Sequence, residues 1–176
     1  MPGHDIVVIG GSAGAVEVLR RIVGALPADL PASLFVAVHQ LPYAASALPQ
    51  ILTNAGRLPA KHPIDREPIR PATIYIAPPD RHLLVGDGVL RVIQGPREHH
   101  TRPAIDPLFR SAALWYGPRV VGVMLSGWLD DNAAGLAAIR RTEGCGDRAR
   151  PRGGPGSRDA CPGRARGAQG AQSTRG

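Results

Sequence analysis

The stretch "DIVVIGGSAGAVEVLRRI", Asp5 to Ile22, contains the reading that decides the fold. Ile6–Ile9 is a short β-branched run of the kind found in buried parallel strands. Val16, Leu19, Ile22, Val23 and Leu26 then recur at helical spacing, and Pro27 stops the helix. Between the two lies a glycine turn, which can serve two chemistries. A dinucleotide-binding turn wants G-x-G-x-x-G and an acid at the end of the second strand. Here Ser12 and Ala15 occupy the second and third glycine positions, and the next strand ends in His39. The alternative is a nucleophile turn. "GGSAG" satisfies G-x-S-x-G, with small neighbours that let Ser12 take a sharp turn and a helix start that offers N–H groups to an oxyanion. A serine that merely caps the first helix would produce the same letters.

The rest of the chain repeats the strand-then-helix pattern. "SLFVAVHQ", "TIYIAPP" and "RVVGVMLSG" read as buried strands, while "ALPQILTNAG", "AIDPLFRSAALWYG" and "NAAGLAAIRR" read as helices, the first stopped by Gly56. "HLLVGDGVLRVI" places two alternating segments around Gly-Asp-Gly, a hairpin signal. The expected class is α/β: a doubly wound parallel sheet with helices on both faces and one β-hairpin.

That topology gives the nucleophile its partners. A serine hydroxyl needs a base, and the base needs a carboxylate to orient it. In a parallel sheet all strand carboxyl ends share one edge. His39 closes the second strand, and Asp130 and Asp131 follow "VVGVMLSG", so Ser12, His39 and an acid converge on one rim. The chain order Ser–His–Asp differs from the Ser–Asp–His order of α/β-hydrolases.

Composition narrows the function classes. The 176 residues carry a formal charge of +7, but residues 143–176 alone hold seven Arg against three acids. Elsewhere basic residues are scattered, and only 4% of the chain is aromatic, which argues against a nucleic-acid surface. Both cysteines, Cys145 and Cys161, lie in that last segment, too few for a zinc site or disulfide framework. No signal peptide and no apolar run of about 20 residues is present, so neither secretion nor membrane insertion is expected and the cytoplasm is the default.

Five motifs in order, "VVIGGSAG", "VAVHQLP", "IYIAPPDRHL", "RPAIDPLFRSAA" and "GVMLSGWLDDNAAG", resemble the catalytic domain of CheB-type chemotaxis methylesterases from about Asp5 to Arg141. The resemblance implies hydrolysis of glutamate methyl esters on the cytoplasmic helices of chemoreceptors, with deamidation of glutamine, and no cofactor or metal. It puts the nucleophile on Ser12, the base on His39 and the carboxylate on Asp131, with His82, Arg102 and Asp106 as candidates to line the substrate site. A methyltransferase or a separate receiver protein would be further partners, the family's phosphorylatable receiver domain being expected to be absent here. Trp128, Leu129 and Asn132 stand where the family has Met, Gly and Gly around the acid. These changes support a second reading, a catalytically degraded homologue that binds receptors or a methyltransferase.

The expected catalytic domain is residues 1–142. From Glu143 to Gly176 there is no Val, Ile, Leu, Met, Phe, Trp or Tyr, and nine of the 34 residues are Gly. Such a segment cannot bury enough apolar surface to offset its ordering entropy, so a disordered tail is expected. The family continues instead with a strand and a Gly-Met-Pro loop. A one-base slip of reading frame near Thr142 accounts for the change: read one base later, Gly144–Pro151 can encode Gly-Val-Ala-Ile-Val-Gln-Asp-Pro.

Overall fold

The computed structural model describes residues 3–39, 46–125 and 133–148. Its main feature is a six-stranded sheet with every neighbouring pair parallel. The strands are β1 (Ile6–Gly11), β2 (Ser33–Val38), β3 (Ala60–Lys61), β4 (Ile74–Ile76), β7 (Val120–Met124) and β8 (Cys145–Arg148), in spatial order β3-β4-β2-β1-β7-β8. The hairpin β5 (His82–Val85) and β6 (Leu90–Ile93) forms a separate antiparallel pair, as "HLLVGDGVLRVI" predicts. Among the described residues the α-helices are α1 (Val16–Gly24), α2 (Leu48–Ala55), α3 (Ile105–Tyr116) and α4 (Ala133–Arg141).

Strand periodicity divides the core into two layers. Ile9, Leu34, Val36, Val38, Ile74 and Ile76 face Leu19 and Val23 of α1 and Leu48 and Leu52 of α2. Ile6, Val8, Phe35, Ala37 and Tyr75 face Ile105, Leu108, Phe109 and Ala112 of α3 and Leu136 and Ile139 of α4. The expected doubly wound sheet, with helices on both faces, is therefore the observed one. Truncating Leu19 or Leu52 to Ala, both fully buried, would cost about 2–5 kcal/mol. The hairpin is pinned to α3 by Ser111 Oγ, which accepts the Val85 N–H at 3.0 Å. Tyr116 Oη accepts the Gly88 N–H at 3.0 Å and donates to Gly86 O at 3.1 Å. At the opposite end of the sheet, Arg119 clasps Asp5 with Nε at 2.8 Å and Nη2 at 2.5 Å, joining the starts of β7 and β1.

Two features differ from the sequence reading. Ordered structure continues past residue 142: Cys145–Arg148 pairs with β7 in register Val121↔Cys145 to Met124↔Arg148. Backbone pairing with a central strand supplies what the apolar-poor side chains do not. Residues from 149 onward lie outside the described part. Gly56 does end α2, but its φ of −145° is extended rather than left-handed. It is needed for proximity: a Cβ there would lie 2.5 Å from Val23 O, so only glycine lets α2 finish against α1.

Candidate active site

β1 and β2 run side by side for six residues, Ile6↔Ser33 through Gly11↔Val38. The His39 N–H donates to Gly11 O at 3.2 Å and carries the ladder one step further. Ser12 and His39 are thus the first residues beyond two neighbouring strands, at the same level of the carboxyl rim. Parallel strands sit about 4.8 Å apart, so this placement is a consequence of register alone. Ser12 O accepts the Ala15 N–H at 2.9 Å across a single 3₁₀ turn, Ala13–Ala15, before α1 begins. Ser12 stands directly before this turn, which runs into α1 at Val16.

On the other flank of β1, the Leu125 N–H donates to Gly10 O at 2.9 Å, which brings the end of β7 to the same rim. The chain leaves β1 toward the α1 layer and leaves β7 toward α4 in the opposite layer. The rim between these two strands is the topological switch point, where open α/β sheets place their ligand crevice. Gly10 is required here, because a Cβ would lie 2.5 Å from Ile105 Cγ2 and 2.8 Å from Met124 Sδ. The start of α3 therefore rests directly on the strand that carries Ser12. Asp130 and Asp131, with Trp128, Leu129 and Asn132, lie outside the described residues.

The three candidates for substrate contact are engaged with other parts of the protein. His82 is buried: its Nδ1 accepts the Ala104 N–H at 3.2 Å and its Nε2 donates to Pro96 O at 2.8 Å, which fits a neutral Nε2–H tautomer. Arg102 places Nε and Nη2 on Asp80 Oδ1 at 3.0 and 2.7 Å, and Nη1 on Gly95 O at 2.7 Å. That guanidinium, seconded by Gln94, holds the Asp80 carboxyl below the usual carboxylate range. Asp106, 1% exposed, lies in the first turn of α3 and accepts the Gly135 N–H of α4 at 2.9 Å. Its other oxygen is 3.4 Å from His99 Nε2 and 3.8 Å from Arg110 Nη1.

Sequence reasoning did not single out His99. It sits in a two-residue turn, Glu98 to Thr101, in which His99 and His100 both adopt positive φ (50° and 61°). Bulky residues seldom adopt that conformation, and nothing in "EHHT" resembles the Asn-Gly usual for such turns. Arg110 anchors the turn by gripping Glu98 with Nη2 at 2.7 and 2.8 Å. Among the described residues no cluster of ligating side chains suits a metal ion, and no helix is long and apolar enough to cross a membrane.

A three-layer α/β fold with a serine turn at its switch point defines the broad class, and comparison with known proteins narrows it. The family model for the CheB methylesterase matches residues 7–146. Over 140 residues the chain is 37% identical to protein-glutamate methylesterase/protein-glutamine glutaminase 2 of Anaeromyxobacter dehalogenans, covering 80% of this chain and 41% of that protein. It is 40% identical over 146 residues to protein 3 of the same name and organism, covering 82% and 43%. The solved CheB methylesterase catalytic domain of Thermotoga maritima matches with a TM-score of 0.76 at 30% identity, over 83% of this chain and 79% of that one. The chain belongs to the CheB methylesterase family. It spans less than half the length of these curated relatives.

Proposed function

We propose that this chain is a serine hydrolase that removes methyl groups from glutamate γ-methyl esters on the cytoplasmic helices of chemoreceptors, and deamidates glutamine there. Ser12 Oγ attacks the ester carbonyl while His39 takes its proton; the tetrahedral intermediate collapses, and methanol leaves with that proton. Water, deprotonated by His39, then attacks the acyl-serine and frees the glutamate. Asp131 fixes the imidazole tautomer, and N–H groups in the turn after Ser12 stabilise the oxyanion. The observation that carries this reading is the register that sets Ser12 and His39 side by side on adjacent strands at the carboxyl rim, with Ser12 at the end of a strand that borders the switch point. The names borne by the relatives supply the substrate class. A cytoplasmic location follows from a receptor substrate presented on that side, and a methyltransferase or a separate receiver protein would share the pathway.

The test is methanol release from a methylated receptor fragment, combined with labelling by a serine-directed phosphonate. Label and methanol that both vanish in Ser12→Ala support the reading. A chain that captures the receptor fragment yet takes no label at Ser12 would instead be a binding module.

The proposal extends to the end of the chain. β8 occupies Cys145–Arg148, the four positions that a frame one base later can read as Val-Ala-Ile-Val. Those are residues suited to a strand beside β7. A reading-frame slip near Thr142 explains why this strand carries Cys-Gly-Asp-Arg and why Gly- and Arg-rich sequence follows. The nucleotide sequence decides it: a downstream frame without those codons ends the idea.

A further inference from the structure

Asp106 is a nearly inaccessible carboxylate that the mechanism above does not use. It belongs to α3, yet its Oδ1 accepts the N–H of Gly135 in the first turn of α4. The contact is closely fitted: a Cβ on Gly135 would lie 2.7 Å from Asp106 Oδ1 and 2.7 Å from Phe109 Cβ. The first N–H groups of a helix have no partner within it, and a carboxylate is the acceptor that suits both them and the helix dipole. The Arg110 guanidinium and the His99 ring lie against the other oxygen of the same carboxylate, so its burial does not leave it without partners. In the chain, α4 begins two residues after Asp131.

We infer that Asp106 is a positioning residue for the catalytic acid: it holds the first turn of α4, the described element that follows Asp131 in the chain, against α3, without touching substrate. The inference rests on the triad proposed above. Asp106 is thereby assigned to the machinery behind the site rather than to its lining.

Three variants test it, each measured by the rate of phosphonate labelling at Ser12, by kcat and KM on a methylated receptor fragment, and by hydrogen exchange of peptides covering 133–141. Asp106→Ala is expected to slow labelling and lower kcat about tenfold to a hundredfold, the loss typical of a misplaced catalytic group, with KM unchanged and exchange in the first turn of α4 accelerated. Gly135→Ala attacks the same contact from the other side and should reproduce that pattern, and the double variant should be no worse than either single one. Asp106→Asn keeps an acceptor for Gly135 and should restore most of the rate. Labelling at full speed in Asp106→Ala overturns the inference, as does a rise in KM with kcat intact, or an Asn variant as impaired as Ala. A wild-type chain that takes no label at Ser12 overturns the triad reading itself, a result separate from any of these.

Discussion

The two sides of the candidate site are built in different ways. On one side, Ser12 and His39 emerge from β1 and β2, strands paired along their whole length and packed between helices on both faces. Their relative position is a property of backbone hydrogen bonding. On the other side, β7 ends beside Gly10, and the next described element, α4, packs on α3 through Leu136 and Ile139, with the Asp106 carboxylate bonded to its first turn. Ser12 and His39 are placed by the sheet, whereas α4 is held by side-chain contacts. Substitutions should therefore affect the two sides differently.

The largest effect is expected where register does the placing. Ser12→Ala and His39→Ala should each lower kcat by about 10⁴-fold or more, and the double variant should lose no more than either, since the two act as one unit. Additive losses in steady-state kinetics would mean that the two side chains do not work together. Next comes Gly10→Ala, which drives a methyl group into Ile105 and Met124 at the point where α3 meets β1. Overpacking of this kind costs about 1–3 kcal/mol, readable as a lower denaturant midpoint, and should lower the Ser12 labelling rate as well. Gly56→Ala forces a comparable clash with the backbone of Val23 but far from the rim, so stability should fall while labelling of the surviving folded protein stays unchanged. If Gly10→Ala and Gly56→Ala proved equally silent in labelling, the coupling of α3 to the nucleophile strand would be refuted.

The smallest effect concerns Asp80. Because Arg102 lowers its pKa in the folded state, the contact stabilises the protein above the pKa of an unfolded aspartate, about 3.9, and that contribution is lost as the pH falls through the lower folded value. Asp80→Asn should therefore lower the melting temperature slightly at neutral pH, with the two proteins converging toward acid. A gap of constant size across the titration would assign the effect to packing.

Much of the fold was legible in the sequence because its signals are local. β-branched runs marked β1, β2, β4 and β7; 3.6-residue periodicity marked α1 and α3; Gly-Asp-Gly marked the hairpin, with Gly88 taking the expected positive φ. The two strands that escaped have no such signal. β3 is only Ala60–Lys61 and exists because β4 pairs with it, and β8 is Cys-Gly-Asp-Arg beside β7. The rim was legible for the same reason as the strands, since topology alone puts Ser12 and His39 together. What could not be read was the work of His82, Arg102 and Asp106. Their hydrogen-bond partners lie between 7 and 29 residues away, and neither composition nor spacing says which backbone group a polar side chain will meet.

The adjacency of β1 and β2 also bears on how such a site can diversify. The backbone spacing of Ser12 and His39 is set by the pairing of β1 and β2 and owes nothing to the length of chain joining β2 to α2. Insertions, deletions and substitutions after His39 can accumulate without separating these two residues. Over evolutionary time, a lineage could remodel the chain that follows while Ser12 and His39 stayed where they were.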